Sequence, residues 1–578
     1  MTATLDLQKP IVSPEDYGCE LIIDGDMPFD YDKPIACDVE TDEKDNFVGL
    51  ALCQSEDKVY YYSELSELIY VLPGYPLIFQ GGVFDLAMLR KWGINIRDDQ
   101  YIWDTKILAY LVNPTLKKYG LKNLAKQFFD IQYPTYKEMV GTGKKKITLD
   151  KQPIERVAKY CGMDALITYK LYRHTLKYLS AKEMKWYKDV EFPLYSKVLA
   201  QIQKDGVCVD KDKLLTLHKK YGKIRDEYGQ QILSLFDASG FEYPNKEKFL
   251  NSPKQIIAAF AHIGDPIKSS NSMTLKALKC EPAKLFLKYR NFNKAYTTYT
   301  GPLLKEPTLP KIPVRLNQNT DTGRLSSKLH CIPRRKEDTK EIREMFIPPP
   351  NHDLLVLDYS QIETRFLAHF SKDPVLVTIF NKGQNIHTAL SDRIGVPYDV
   401  GKTCVHGMTY GATEYSLHHA IGRSVEECRD ILNRFWEDLY VSKTWIATEI
   451  YNGYKNNGVE TIGGRFRKFY GLKELKCYHQ FRWNCDKCKQ RRYIERQMIS
   501  TKVQGSASDL IKKAMIQLYN KGYRMALQIH DELIFYIPHS MDKDIVLKDI
   551  KNIMENAIKL DVPIIAKGGY GRSWAAAK

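Results

Sequence analysis

The chain has 578 residues, enough for three or four domains with a sizeable core. Its 86 Lys and Arg outnumber its 70 Asp and Glu, leaving a net charge of +16 spread along the chain; this favours a polyanionic partner such as nucleic acid, although a merely soluble basic protein has the same balance. No apolar run reaches the ~18 residues of a membrane span, and MTATLDLQKPIVSPED lacks the apolar core of a signal peptide, so the expectation is a soluble, cytoplasmic protein with no membrane partner.

Residues 34 to 62 alternate apolar runs with turn residues (PIACDVETD, FVGLALC, KVYYYS), as a small sheet would, and the first run places Asp38 and Glu40 on one strand face. Asp85 follows in IFQGGVFDLAML. Near residue 160, VAKYCGMDALITYKLY has a helical pattern in which Tyr160 and Asp164, four apart, share a face. Each acid taken alone reads as solvated surface. Together, four acids and a tyrosine suit two metal ions and an oriented hydrolytic water.

From 191 the segment EFPLYSKVLAQIQKDGVCVDKDKL leads into lysine-rich helical patterns that continue to about residue 300, including LNSPKQIIAAF and LFLKYRNFNKAYTTYT. Such helices suit phosphate contacts that fix position without reading sequence, or a solvated face. In DLLVLDYSQIETRFLAHFSKD, residues 353 to 373, Leu354 to Leu357 read as a buried strand that delivers Asp358 to the start of a helix patterned by Glu363, Phe366, Leu367 and Phe370. In the stretch NIHTALSDRIGVPYDVGKTCVHGMTYGAT, Tyr398, Lys402, His406 and Tyr410 are spaced by four, so a helix presents them on one face, where a lysine suits triphosphate charge and an aromatic suits a base.

Nine of the 12 cysteines are scattered singly, as in a reducing compartment. In KCYHQFRWNCDKCKQRRYIERQ, however, Cys477, His479, Cys485 and Cys488 form C-x-H-x5-C-x2-C, a donor set for structural Zn²⁺, with free thiols on a basic loop as the alternative. YIERQMISTKVQGSASDLIKKAM reads as a long amphipathic helix interrupted at QG. MALQIHDELIFYI then reads as a strand, a tight turn and a strand, with His530, Asp531 and Glu532 at the tip. Asp358 and Asp531, both borne on strands, suit a pair of divalent ions in phosphoryl transfer.

DYSQIE at 358 to 363 and QIHDE at 528 to 532 resemble motifs A and C of family A DNA polymerases, the bacterial polymerase I group; the N-terminal acids and YxxxD resemble that family's 3′→5′ exonuclease. The resemblance covers nearly the whole chain from about residue 30. It implies an α/β multidomain protein: an RNase H-like exonuclease domain (1–185), the approach to the palm and thumb (186–310), palm with motif A (311–372), fingers with motif B and the 477–488 insertion (373–495), and palm with motif C (496–578). It also implies a compact, monomeric phage replicative enzyme without a 5′ nuclease. Its partners would be primer-template DNA, dNTPs and processivity or other replisome factors.

By the same resemblance Asp38, Glu40, Asp85 and Asp164 would ligate metal, Tyr160 would position water, and Asp104 would give support. Asp358 and Asp531 would hold two Mg²⁺, with Mn²⁺ as a substitute. Glu532 joins the catalytic set and, with His530, supports the primer end and metal site. Lys402 would stabilise or protonate the leaving pyrophosphate. Tyr359, Gln361, Glu363, His387, His406 and Tyr410 would surround the nucleotide, with Glu363 crowding a ribose 2′-hydroxyl; Arg324, Arg496, Gln504 and His530 would contact DNA. A single-subunit RNA polymerase would share the palm acids but not Glu363 with a proofreading set, and an inactive DNA-binding protein would need neither acid set.

The chain departs from the family pattern at several points. Gly81 replaces an asparagine, His330 and Cys331 replace Gln and Asn, Ser500 replaces Asn, and the resemblance predicts no metal in the insertion. Tyr398 stands where an arginine meets the terminal phosphates, leaving His387, Arg393 or another basic residue to make that contact. His406 stands in place of an aromatic beside the sugar. His406→Phe and His406→Tyr are therefore expected to change the ratio of dideoxy- to deoxynucleotide incorporation in single-nucleotide kinetics; an unchanged ratio would refute a sugar contact.

Overall fold

The computed structural model describes residues 11–577 except 29, 66, 67, 69–71, 98, 99, 144, 145, 279, 334–336, 473, 474 and 476–484. No helix among the described residues is long and apolar enough to cross a membrane.

The N-terminal part is built on a mixed six-stranded sheet, in the order β1-β4-β3-β2-β5-β6: β1 (Glu20–Ile23), β2 (Ile35–Thr41), β3 (Phe47–Cys53), β4 (Lys58–Tyr62), β5 (Leu77–Phe79) and β6 (Ile102–Asp104). Apolar clusters cover both of its faces, so its central strands are nearly all apolar and their few acids stand out. Around it lie α1 (Val83–Lys91), α2 (Thr105–Val112), α3 (Leu121–Phe129) and the long α4 (Ile154–Leu176), which packs across β2 and β3.

The short pair β7 (Val207–Cys208) and β8 (Lys311–Ile312) brackets a helical thumb. Its two long helices, α5 (Lys211–Ala238) and α6 (Glu281–Lys294), pack on each other, and Phe236, Phe249, Phe260 and Phe286 form a core of their own. The palm is an antiparallel sheet ordered β12-β13-β9-β14, from β9 (His352–Tyr359), β12 (Met525–Ile529), β13 (Glu532–Pro538) and β14 (Ala566–Gly571). Central β9 buries Leu354 to Leu357, as the sequence indicates, because its neighbours pair both edges and the main core packs on it.

Between the palm strands the chain runs through α7 (Ile362–Ser371) into the fingers, with α8 (Ile386–Ile394), α9 (Tyr398–Met408) and α10 (Tyr440–Asn456), then the hairpin β10 (Gly458–Glu460) and β11 (Phe466–Lys468). The chain returns through α11 (Asp486–Asn520), and α12 (Lys543–Asn556) backs the palm. Two expectations need correction here. First, α11 runs unbroken through Gln504 and Gly505, with no interruption there. Gly505 is a packing residue: a Cβ there would lie 2.8 Å from Thr461 Cγ2, and its carbonyl accepts from Arg465. Second, α9 ends at Met408, so Tyr410 lies in the following turn, outside the helix that presents Tyr398, Lys402 and His406.

A buried polar network joins the N-terminal part to the palm. Lys512 of α11 pairs with Glu191 at 2.7 Å, both fully buried, and Trp186 and Gln318 also donate to Glu191. Beside them Arg465 pairs with buried Asp509 at 2.8 Å and donates to the Tyr110 hydroxyl of α2 and to the Thr322 carbonyl. Removing one partner of a buried pair leaves a desolvated charge without compensation. Glu191→Ala is therefore expected to lower the unfolding free energy by about 3 to 5 kcal/mol, measured by urea denaturation; a loss under about 1 kcal/mol would show that water reaches Lys512.

Candidate active sites

The first carboxylate cluster lies where β2 meets α4. The alternation of β2 puts half-buried Asp38 and buried Glu40 on the face toward α4. From α4 the Cys161 thiol donates to the Asp38 carbonyl at 3.3 Å and to its carboxylate at 3.4 Å. The ligating atoms of Asp38, Glu40 and Cys161 lie within 4.8 Å of one another. One turn on from Tyr160, Asp164 is ion-paired with Lys122 of α3, whose ammonium also sits 3.8 Å from the Tyr133 ring centroid and 4.4 Å from that of Tyr160. Asp85 comes from the first turn of α1.

Burial, then repulsion from Asp164 and the other acids, pushes the Asp38 and Glu40 carboxyls well above the usual range. Burial raises Asp85 to about 7. Such a set fits a divalent cation, which would relieve the mutual repulsion. Asp104 acts on the backbone instead. It caps α2 through Lys106 N (3.0 Å) and Ile107 N (3.3 Å) and accepts from Gly82 N at 2.9 Å, fixing the turn that leads to Asp85. Beside the cluster lies a cavity of about 490 Å³ whose lining includes Asp38, Gly81, Lys106, Lys117, Asp164 and Asn319.

Sequence reasoning missed Cys161, Lys122 and Tyr133. Cys161 lies three residues before Asp164, a spacing that puts it on the same helix face and so was open to sequence reasoning. Lys122 and Tyr133 carry no such signal.

The second cluster is made by strand pairing. Asp358 is the penultimate residue of β9, directly opposite Glu532 in β13, and Asp531 precedes Glu532 in the tight turn where His530 adopts φ 53°. The Tyr359 N–H donates to the Asp531 carbonyl at 3.1 Å, locking the turn to β9. Arg324 lies between the acids, ion-paired with Glu363 and 3.8 Å from Asp531. The Tyr410 hydroxyl also donates to Glu363, and Gln504 bonds to Tyr410. Burial raises the Asp531 carboxyl to about 6; Arg324 opposes this shift, while Glu363 and Asp358 add to it. The buried Asp531 Oδ1 accepts no hydrogen bond among the described residues, and with Asp358 it forms an oxygen donor set that fits a hard divalent cation.

Other expected residues fall into place less uniformly. The Tyr359 side chain does not line the site: it points into the core, where its hydroxyl donates to the Met554 carbonyl at 2.9 Å. Strand alternation puts it on the face opposite Asp358. Glu532 is buried, and its carboxylate accepts hydrogen bonds from Arg343 and Trp574. Gln361, at φ 54°, donates to Asn385 at 3.2 Å and ties the start of α7 to α8.

His387 of α8 faces His406 of α9 with ring centroids 5.1 Å apart and lies 6.2 Å from Tyr398. Arg393 is ion-paired with Asp438. Lys402 is half-buried and makes no ion pair among the described residues. Exposed Arg496 runs beside Gly411, and the exposed His530 ring lies 5.3 Å from that of His330. Of the zinc candidates, Cys477 and His479 lie outside the described residues; Cys485 caps α11, its sulfur accepting from Cys488 N at 3.4 Å.

The shift at Asp531 has a definite sign. A carboxyl raised in the folded state contributes stability below its unfolded value of about 4, and that contribution is lost as pH rises through about 6. With a chelator present, Asp531→Asn is thus expected to be more stable than the parent by roughly 2 to 3 kcal/mol near pH 8 and equal to it near pH 4. Thermal melts at the two pH values test this, and equal melting at both would refute it.

A family model described as DNA polymerase family A matches residues 213–576, and a 3'-5' exonuclease model matches residues 28–179. DNA polymerase I of Bacillus subtilis is 30% identical over 534 residues, covering 86% of this chain and 58% of that protein. For DNA polymerase I of Synechocystis the figures are 29% over 612 residues, 95% and 60%; for the thermostable DNA polymerase I of Thermus thermophilus they are 31% over 441 residues, 72% and 51%. The chain thus spans little more than half the length of these relatives. The solved POL domain of Pol1 from M. smegmatis, in complex with DNA primer-template and dNTP, shares the fold, with a TM-score of 0.77 at 23% identity, covering 94% of this chain and 96% of that one. With a family model matched across most of its length behind an exonuclease domain, this chain belongs to DNA polymerase family A.

Proposed function

We propose that the chain is a template-directed DNA polymerase that adds deoxynucleotides to a primer 3′-hydroxyl and trims 3′ ends at its N-terminal site. The observation that carries this reading is the meeting of Asp358, near the end of β9, with Asp531 in the turn that leads into its paired strand β13, with Arg324, Glu363 and Tyr410 beside them. Divalent cations, magnesium in this reading, held by Asp358 with Asp531 and by Asp38, Glu40, Asp85 and Asp164, would supply Lewis-acid activation of the attacking oxygen and neutralise charge on the phosphate.

The chain's own groups do the rest. Lys402 brings positive charge and His387 a hydrogen-bonding ring to the phosphates of an incoming nucleotide, beside His406. Glu363 is held by both Arg324 and Tyr410, and in this reading its carboxylate crowds a ribose 2′-hydroxyl and favours dNTPs; this weighs against an RNA polymerase. At the N-terminal site Tyr160, one turn before Asp164 on α4, would orient an attacking water. A replicative role is part of the same proposal, supported by the presence of both acid sets in one chain.

The test is extension of a labelled primer on a DNA template with Mg²⁺. Asp358→Ala is expected to abolish dNTP addition, with a loss of at least about 10³-fold, while Asp38→Ala keeps addition and loses 3′ trimming. A parent protein that neither extends nor trims, or an Asp358→Ala protein that still extends, would overturn the reading.

A further inference from the structure

The cavity beside Asp38 and Asp164 is lined by two distant parts of the chain. One wall is the N-terminal part, with Gly81, Lys106, Lys117 and Lys118; the other holds Asn317 and Asn319, from the segment that runs on to Arg324 in the palm site. That segment is tied down along its length. Asn317 and Ser326 exchange backbone hydrogen bonds of 2.8 and 2.9 Å, and Asn319 N donates to the Asn317 side chain at 3.1 Å. The Tyr110 hydroxyl donates to the Thr320 carbonyl at 3.0 Å, and Thr320 Oγ1 donates to the Arg324 carbonyl at 2.7 Å.

Within this fixed frame the Asn319 Nδ2 is buried and donates to no group among the described residues. A buried donor without an acceptor is unfavourable and calls for a ligand that supplies one. The opposite wall has no such donor. Gly81 offers only backbone, at φ +77°, and a Cβ there would meet nothing nearer than Lys106 Cδ and the Tyr195 hydroxyl, both at 3.6 Å. Lys106, Lys117 and Lys118 line this cavity of about 490 Å³ together with Asp38 and Asp164, so it offers cations for the phosphates of a strand beside the acid cluster.

We propose that Asn319 is a positioning residue of the exonuclease site, its amide donating to a phosphate oxygen of a single-stranded 3′ end, so that the polymerase part of the chain completes the proofreading channel. This rests on the exonuclease reading above. In the full-length protein with a 5′-labelled single-stranded oligonucleotide and Mg²⁺, Asn319→Ala is expected to raise KM about tenfold with kcat within about twofold of the parent. Asn319→Asp should raise KM further, because a carboxylate then faces the phosphate. Gly81→Asn, which supplies an amide from the other wall, should restore most of the loss when combined with Asn319→Ala.

Anisotropy of the same oligonucleotide without divalent cation reads binding independently of turnover. Unchanged KM and affinity in Asn319→Ala, or an Asp variant that binds as well as the Ala variant, would overturn the proposal. A merely structural role would instead lower the melting temperature or kcat and leave affinity in place. If the parent trims nothing, the exonuclease reading fails, while the anisotropy series still decides whether Asn319 holds the strand.

Discussion

Strand pairing holds like charges together in this protein. Asp358 and Asp531 repel each other, yet β9 and β13 are hydrogen-bonded in a register that fixes one beside the other, and the Tyr359 N–H clasps the turn that carries Asp531. The Asp531 carboxyl is raised chiefly by its burial in that arrangement, with Glu363 and Asp358 adding to the shift. The arrangement is sustained by the apolar core packed on the sheet, which Leu354 to Leu357 of β9 share with Val503, Ala507 and Leu510 of α11 and Val546, Ile550 and Met554 of α12. Folding stability in the palm is in effect exchanged for a site poised to take up positive charge.

The N-terminal cluster solves the same problem with different parts. There the acids come from β2, α1 and α4, and the sheet's two apolar faces keep α4 seated so that Asp164 stays near Asp38 and Glu40. Each cluster also contains a cation of the chain itself, Lys122 against Asp164 and Arg324 against Glu363 and Asp531. Neither cation offsets all of the negative charge, and the carboxyls of Asp38, Glu40, Asp85 and Asp531 remain raised. The arrangement keeps the acids from scattering while leaving a net attraction for a divalent ion.

How far the sequence discloses this depends on the range of the contact. Asp38 with Glu40, and Tyr160 with Asp164, are legible because periods of two and four put each pair on one face within a single element. Asp358 and Asp531 are legible as two strand-end acids, and their meeting follows once the strands pair. Lys122, Tyr133 and Asn319 are not legible: their positions depend on packing between elements far apart in sequence, and lysine, tyrosine and asparagine are too common here to stand out. The break expected at Gln504 and Gly505 fails for a physical reason. A helix-interior glycine costs about 1 kcal/mol, and α11 accepts this because Arg465 and Thr461 need the space. The spacing of four that puts Tyr410 on a helix face runs past the end of α9, where the chain has already turned.

The segment from Asn317 to Arg324 and the middle of α11 give these two sites a common support. Arg465 reaches from the fingers hairpin to Tyr110 in the N-terminal part, to Asp509 and Gly505 in α11 and to the Thr322 carbonyl two residues before Arg324. Tyr110 in turn holds Thr320. A shift of α2 relative to the palm would therefore move the backbone that carries Arg324, and with it the charge balance around Asp531. The buried pairs Arg465 with Asp509 and Lys512 with Glu191 resist such a shift, because any displacement leaves a charge uncompensated in a water-poor interior. The polar network at this junction thus does what apolar contact alone would not: it permits one relative placement of the two carboxylate clusters and penalises the rest.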